Sequence, residues 1–138
     1  MLFYFAYGSN MNSDHFRRYC PNAKFLKKCE LQGYRPRFGA IPGLLHKGAF
    51  LTLERNRYAA TMGYVYAIDN LEDLQALQKK EGVDACYYTV QFVQLGNDML
   101  GFTYVMKNPV WHISPSSRYC KLCAEFFHEN NVDKSMCA

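Results

Sequence analysis

The sequence predicts an α+β fold, a mixed β-barrel with a few flanking helices, built as a single domain over residues 1–138. Its length, with 49% hydrophobic and 20% charged residues, is that of one globular domain able to bury its own core. At least five segments carry the apolar patterns of strands, and three others have helical spacing with capping residues. Strands in this number can curl into a barrel.

The first strand is an apolar run over residues 2–7, and Gly8 ends it. Asn12 or Ser13 can then cap a short helix, which Pro21 prevents from continuing. The chain therefore opens with a buried strand, a loop and one short helix.

The middle of the chain has mostly strand character. Residues 23–38 carry a β pattern that is interrupted at Gly33 and Pro36. Two further strands are expected at residues 49–54 and 61–68. In the second of these, apolar residues occupy both alternating sets of positions, so we expect an interior strand with both faces covered.

A helix is expected to begin at Asn70, whose side chain can cap it, and to end at Gly82. Leu71, Leu74 and Leu77 lie close together around this helix, and we expect all three to face the core.

A hairpin and a last helix complete the prediction. Residues 87–95 and 99–106 are strands joined by a tight turn at residues 96–98. Ser114-Pro115 is a good helix start, and apolar residues follow it at helical spacing.

Six cysteines are present, and the short apolar opening of the chain lacks the basic flank of a secretory signal. A cytoplasmic protein with reduced thiols is therefore expected. Cys120-x-x-Cys123 is compatible with zinc or redox chemistry, but no second pair stands at ligand spacing. Packing or surface thiols are the favoured interpretation, and we expect neither a metal nor a cofactor.

Charge and hydropathy bear on partners. The net charge of +4 comes from scattered lysines and arginines rather than a basic stripe, which favours a solvated surface over a nucleic-acid interface. The apolar opening is too short to span a membrane. We expect no nucleic-acid or membrane partner, and a chain that is a monomer or a homodimer.

The first chemical feature is the loop Tyr7-Gly8-Ser9-Asn10. A core strand ends here in small and polar residues, which can present consecutive backbone N–H groups to a carboxylate or an oxyanion. The same tetrapeptide is equally typical of an ordinary strand-to-helix turn. Ser9 is not favoured as a nucleophile, because none of the four histidines lies in a motif that identifies its partner.

The second feature is Glu81, at the end of the helix that begins at Asn70. A carboxylate at the negative end of a helix dipole is a candidate general base. The alternative is a solvated glutamate beside Lys79 and Lys80.

These features occur in an ordered series of motifs. The segments are Tyr4-Phe5-Ala6-Tyr7-Gly8-Ser9-Asn10-Met11, Leu31-x-Gly33-Tyr34-Arg35-x-x-Phe38, Gly63-Tyr64-Val65-Tyr66, Asp73-Leu74-x-x-Leu77, Glu81-Gly82-Val83 with Tyr88, and Pro115-Ser116-x-x-Tyr119. In this order they closely resemble the γ-glutamylcyclotransferase superfamily over about residues 3–120. Asn10 is typical of its Tyr-Gly-Ser-Asn branch rather than of the glutathione-specific branch.

The resemblance implies a fold, a reaction and a set of site residues. It implies a mixed α/β barrel that cyclises γ-glutamyl amino acids or γ-glutamyl amines to 5-oxoproline. Glu81 would be the catalytic acid/base, the backbone of the Tyr7-Gly8-Ser9-Asn10 loop would hold the γ-glutamyl group, and Tyr88 and Tyr119 would line the pocket. A catalytically inactive binding or regulatory module on the same fold is the alternative.

Because of two departures from the family pattern, the sequence does not identify the amine or amino acid that is released. Ala49 stands where relatives often have a second glycine, and its methyl group can reshape the pocket. Gln78 stands where they often have an aspartate, which removes a charge.

Overall fold

The structure is a computed structural model that describes residues 1–130 and 132–137. The described residues form one five-stranded sheet with four α-helices and several short 3-10 helices. The strands are β1 (Leu2–Ala6), β2 (Lys24–Gly39), β3 (Phe50–Ile68), β4 (Tyr88–Gln94) and β5 (Leu100–Met106). The helices are α1 (Ser13–Phe16), α2 (Leu71–Lys80), α3 (Ser117–Cys123) and α4 (Phe127–Asn130).

The sheet has the strand order β2-β3-β1-β5-β4. β1 is antiparallel to β3 and parallel to β5, where Tyr4 pairs with Phe102. The other two pairings, β2 with β3 and β4 with β5, are antiparallel. The predicted α+β class with a mixed sheet is therefore confirmed, and β3 is the interior strand that its pattern indicated.

The sheet is strongly curled but does not close into a barrel. β2 and β4 are its two edges, and no ladder among the described residues joins them. Residues 30–34 of β2 and residues 92–94 of β4 line a shared cleft of about 440 Å³. The two edges thus face each other across a gap, so the predicted curvature is present without the hydrogen-bonded closure.

The predicted interruptions of β2 and β3 are wrong. β2 runs through Gly33, where its register against β3 shifts between Gln32 and Tyr34. A local bulge of this kind accommodates the positive φ of Gly33 (+87°) without ending the strand. Pro36 is tolerated because β2 is an edge strand, where a missing N–H donor is least costly.

The close approach of β3 to β1 depends on Gly63. A methyl group added there would collide with the carbonyl oxygen of Ala6 and lie 2.5 Å from Cζ of Phe5. We expect Gly63→Ala to destabilise the protein by about 1–3 kcal/mol, the usual cost of overpacking. Urea denaturation measures this, with Tyr58→Ala, an exposed change on the same strand, as the control. Equal unfolding midpoints for Gly63→Ala and wild type would contradict the close approach.

α2 begins and ends as predicted. The side chain of Asn70 accepts hydrogen bonds from the N–H groups of Glu72 (2.8 Å) and Asp73 (3.2 Å), and Gly82 after the helix has a φ of +64°. Leu77 is fully buried, whereas Leu71 is exposed, so the prediction that both face the core is wrong. Six residues at about 100° each place these two side chains roughly 120° apart around the helix.

The C-terminal region also differs from the prediction. Instead of one helix, the chain forms α3, a 3-10 helix (Ala124–Phe126) and α4. Cys120 forms a disulfide with Cys137, so the prediction of reduced thiols is wrong for this pair. The other four cysteines are free. Sequence spacing did not reveal the pair, because the two cysteines lie 17 residues apart, one in α3 and one in the C-terminal 3-10 helix (Lys134–Cys137).

Residues 1–130 and 132–137 contain neither a membrane-spanning helix nor a metal-binding cluster. No helix there is long and apolar enough to cross a bilayer. No group of three or more histidine, cysteine or acidic side chains there is arranged to hold a metal ion.

Candidate active site

A cavity of about 960 Å³ lies where the loop after β1, the end of α2 and the beginning of α3 meet the sheet. This volume is in the usual range for a small-molecule site. All of the predicted site residues except Gly8 line it, namely Tyr7, Ser9, Asn10, Glu81, Tyr88 and Tyr119. The fold therefore brings into one cavity residues that lie far apart in the sequence.

The loop after β1 forms a short 3-10 helix (Gly8–Met11). Gly8 has a φ of +62°, and its N–H group donates a hydrogen bond to Oδ1 of Asn130 at 3.0 Å. This amide is therefore not free to bind a ligand, although the sequence suggested it as a donor. The N–H group of Ser9 also lies in the first turn, where it has no acceptor within the helix.

Glu81 caps the C-terminus of α2, with its N–H group bonded to the carbonyl oxygen of Leu77 at 3.0 Å. Its side chain is only 12% exposed, so it is not the solvated glutamate of the alternative interpretation. Oε1 of Glu81 accepts hydrogen bonds from Nδ2 of Asn10 at 3.0 Å and from Nζ of Lys80 at 3.3 Å. The Tyr7-Gly8-Ser9-Asn10 loop and Glu81, the two chemical features found in the sequence, are thus in direct contact.

The side chain of Asn10 is the centre of this network. It is 3% exposed, and its Nδ2 donates to the hydroxyl of Tyr4 at 2.7 Å as well as to Glu81. Its Oδ1 accepts from Nζ of Lys80 at 2.5 Å. The side chain of Asn10 therefore holds the carboxylate of Glu81 in place, a role that the sequence did not indicate.

Sequence reasoning missed Tyr4 and Lys80 as members of the site. A tyrosine in a buried strand usually needs a partner for its hydroxyl, and that signal could have identified Tyr4. Lys80 carried no such signal, because a lysine beside the end of a helix is usually solvated.

Tyr88 and Tyr119 are both anchored to Leu51 at the beginning of β3. The hydroxyl of Tyr88 donates to the carbonyl oxygen of Leu51 at 3.2 Å. The N–H group of Leu51 donates to the hydroxyl oxygen of Tyr119 at 3.1 Å. The Tyr119 hydroxyl is the acceptor in this bond.

Burial keeps the tyrosines of the cavity protonated. It raises the pKa of Tyr4, Tyr7 and Tyr104, and the negative charge of Glu81 raises them further. Burial likewise raises the pKa of Tyr119. At neutral pH these side chains are therefore neutral hydrogen-bonding groups.

The mouth of the cavity is rich in positive charge. Lys47, Arg118 and Lys121 line it and are exposed. His15 also lines the cavity, and burial, together with the positive charges of Lys80 and Arg18, lowers its pKa to about 4. The lysines and arginines give this mouth a potential that attracts anionic groups.

Comparison with known proteins places the chain in a family. The sequence profile of the family described as gamma-glutamyl cyclotransferase, AIG2-like matches residues 4–121. The Homo sapiens protein named gamma-glutamylcyclotransferase is 28% identical over 136 residues, covering 94% of this chain and 71% of that protein. The Bos taurus protein of the same name is 29% identical over the same length, with the same shares covered.

Solved structures show the same fold. A gamma-glutamyl cyclotransferase structure superposes with a TM-score of 0.80 at 26% identity, covering 94% of this chain and 79% of that one. YkqA from Bacillus subtilis superposes with a TM-score of 0.71 at 24% identity, over 92% of this chain and 48% of that one, a likeness of fold alone. The profile match over most of the sequence carries the assignment: this chain belongs to the gamma-glutamyl cyclotransferase, AIG2-like family.

Proposed function

We propose that this chain cyclises γ-glutamyl amino acids to 5-oxoproline and releases the free amino acid, with Glu81 as the general acid/base. One observation carries the proposal, the buried Glu81 carboxylate held by Asn10 in a cavity beside the loop after β1. The names of the relatives support it, because the Homo sapiens and Bos taurus proteins are called gamma-glutamylcyclotransferases.

The reaction needs one proton acceptor and a folded substrate. The α-amine of the γ-glutamyl group attacks its own γ-carbonyl carbon, a C–N bond closes the five-membered lactam, and the C–N bond to the leaving amine breaks. An α-amine with a pKa near ~8 is mostly protonated at neutral pH, so its proton must leave before attack. Glu81 takes this proton, the ring nitrogen loses a second proton as the lactam forms, and the leaving nitrogen gains two, one of them from Glu81 and the other from solvent.

The other side chains bind and orient the substrate. We assign the γ-glutamyl group to the Tyr7-Gly8-Ser9-Asn10 loop, with Ser9 supplying a backbone N–H donor and Tyr88 and Tyr119 forming the walls. Holding the amine against the carbonyl carbon is the main advantage available to an intramolecular reaction. Donors placed at the developing oxyanion add to it, at roughly 3 kcal/mol each in comparable sites.

The charge of the cavity mouth favours an amino acid as the leaving group. Lys47, Arg118 and Lys121 line the cavity and are exposed, and we assign them to a carboxylate beyond the scissile bond. A γ-glutamyl amine, whose leaving group has no carboxylate, would lack this attraction. The γ-glutamylamine specificity therefore remains the second candidate.

The test is a panel assay in which 5-oxoproline is measured by mass spectrometry. The panel contains several γ-glutamyl amino acids, γ-glutamyl-ε-lysine and glutathione, and β-aspartyl-alanine serves as a control that cannot close the five-membered ring. γ-Glutamyl-alanine and γ-glutamyl-ethylamine differ only by a carboxylate, and we expect the first to have the higher kcat/KM. Absence of product from every member would instead favour the inactive binding module.

A further inference from the structure

The ammonium group of Lys80 is enclosed in the site although the residue lies next to the end of a surface helix. Its side chain is only 16% exposed. Nζ lies 2.5 Å from Oδ1 of Asn10, 3.3 Å from Oε1 of Glu81 and 5.4 Å from the ring centroid of Tyr19. A partly buried ammonium needs acceptors of this kind, and here the acceptors belong to the protein.

The hydrogen bonds to Glu81 fall on one of its two carboxylate oxygens. Both Nζ of Lys80 and Nδ2 of Asn10 donate to Oε1. Across the part of the chain that the structure describes, no hydrogen bond to this carboxylate ends on Oε2. Oε1 is thus the anchored oxygen, and Oε2 remains for a ligand in the cavity.

Lys80 holds the Glu81 carboxylate both directly and through Asn10. It donates to Oε1 of Glu81 directly, and through Oδ1 it fixes the amide of Asn10, whose Nδ2 donates to the same oxygen. Loss of Lys80 would free both the carboxylate and the amide to rotate. Neighbouring Lys79 is exposed, so the two adjacent lysines have different environments.

We propose that Lys80 is a positioning residue, which anchors Oε1 of Glu81 so that Oε2 is the atom that exchanges the proton with the substrate. This inference rests on the cyclisation proposed above. Because the donors of Lys80 are directed at Asn10 and Glu81 rather than at the open cavity, it acts on turnover and not on substrate binding.

The experiment compares Lys80→Met, Lys80→Gln and the control Lys79→Met in full-length protein, with γ-glutamyl-alanine as substrate. We expect Lys80→Met to lower kcat on the order of 10²-fold, as expected for a misplaced catalytic group. KM should change by no more than about twofold, since substrate binding is not affected.

Lys80→Gln keeps a hydrogen-bond donor without the charge, and we expect it to retain more kcat than Lys80→Met. It also keeps the test open if Lys80→Met does not fold. A raised KM with unchanged kcat would overturn the positioning role in favour of substrate binding. Wild-type kcat in both Lys80 variants would overturn it as well.

The variant Glu81→Gln distinguishes a failure of the role proposed for Lys80 from a failure of the proposed cyclisation. An inactive Glu81→Gln beside fully active Lys80 variants would overturn only the role of Lys80. Wild-type protein that forms no 5-oxoproline, or Glu81→Gln with normal turnover, would overturn the proposed function and the role of Lys80 with it.

Discussion

Glu81→Gln is expected to lower kcat for 5-oxoproline formation by roughly 10²- to 10⁴-fold, the usual contribution of a general acid/base. Glutamine has the shape of glutamate, and its carbonyl oxygen can still accept the hydrogen bonds that Asn10 and Lys80 donate to Oε1. The side chain should therefore stay in place. An amide cannot take up the proton of the substrate amine at neutral pH, so the chemical step alone should fail.

The test measures both the turnover of Glu81→Gln and its affinity for substrate. Mass spectrometry gives the rate of 5-oxoproline formation, and isothermal titration calorimetry with the uncyclised substrate gives the affinity of the inactive variant. Glu72→Gln is the matched control, because Glu72 lies on the same helix and is exposed. Near-normal turnover by Glu81→Gln would show that another group accepts the proton.

The sequence predicted which segments form the site, but not how they make contact. The apolar run ending at Gly8 and the capped helix ending at Glu81 are both visible as local patterns, and β1 and α2 follow them. That Asn10 touches Glu81 is not a local property, since 71 residues separate them. Only the ordered motifs of a family connected the two before the structure was known.

Other contacts in the site could not be predicted either, because they also join residues far apart in the sequence. The bond between Gly8 and Asn130 joins residues 122 positions apart, and neither has a motif that names the other. The burial of Lys80 depends on how the end of α2 is rotated toward the sheet, which helical periodicity alone does not fix. The cytoplasmic location, the oligomeric state and the absence of a nucleic-acid partner remain predictions from the sequence.

The continuity of β2 and β3 shows how tertiary pairing can overrule local signals. Gly33 and Pro36 are ordinary strand breakers, yet β2 continues past both because β3 pairs with it on one side. Local propensity is a weak guide where two long strands pair, so the two strands predicted at residues 49–54 and 61–68 form the single strand β3, whereas the other strand ends lie within about one residue of the prediction.

Asn130→Leu is expected to destabilise the protein by about 2–6 kcal/mol, because it leaves two polar groups without partners at about 1–3 kcal/mol each. Asn130 is fully buried, accepts from the N–H group of Gly8 at 3.0 Å and donates to the carbonyl oxygen of Met62 at 2.6 Å. Leucine has a similar branched shape but no polar atom, so packing is nearly preserved while both hydrogen bonds are lost.

The same substitution should also lower activity in the protein that remains folded. Without the bond to Asn130, the N–H group of Gly8 is free to turn away, and the loop that carries Asn10 loses its attachment to α4. Urea denaturation measures the stability, and kcat/KM is measured well below the unfolding midpoint. His128→Ala, an exposed change on the same short helix, should alter neither quantity by more than the usual surface effect of about 0.5 kcal/mol. If Asn130→Leu matched wild type in stability and kcat/KM, the Gly8 loop would have to be held by its own backbone conformation alone.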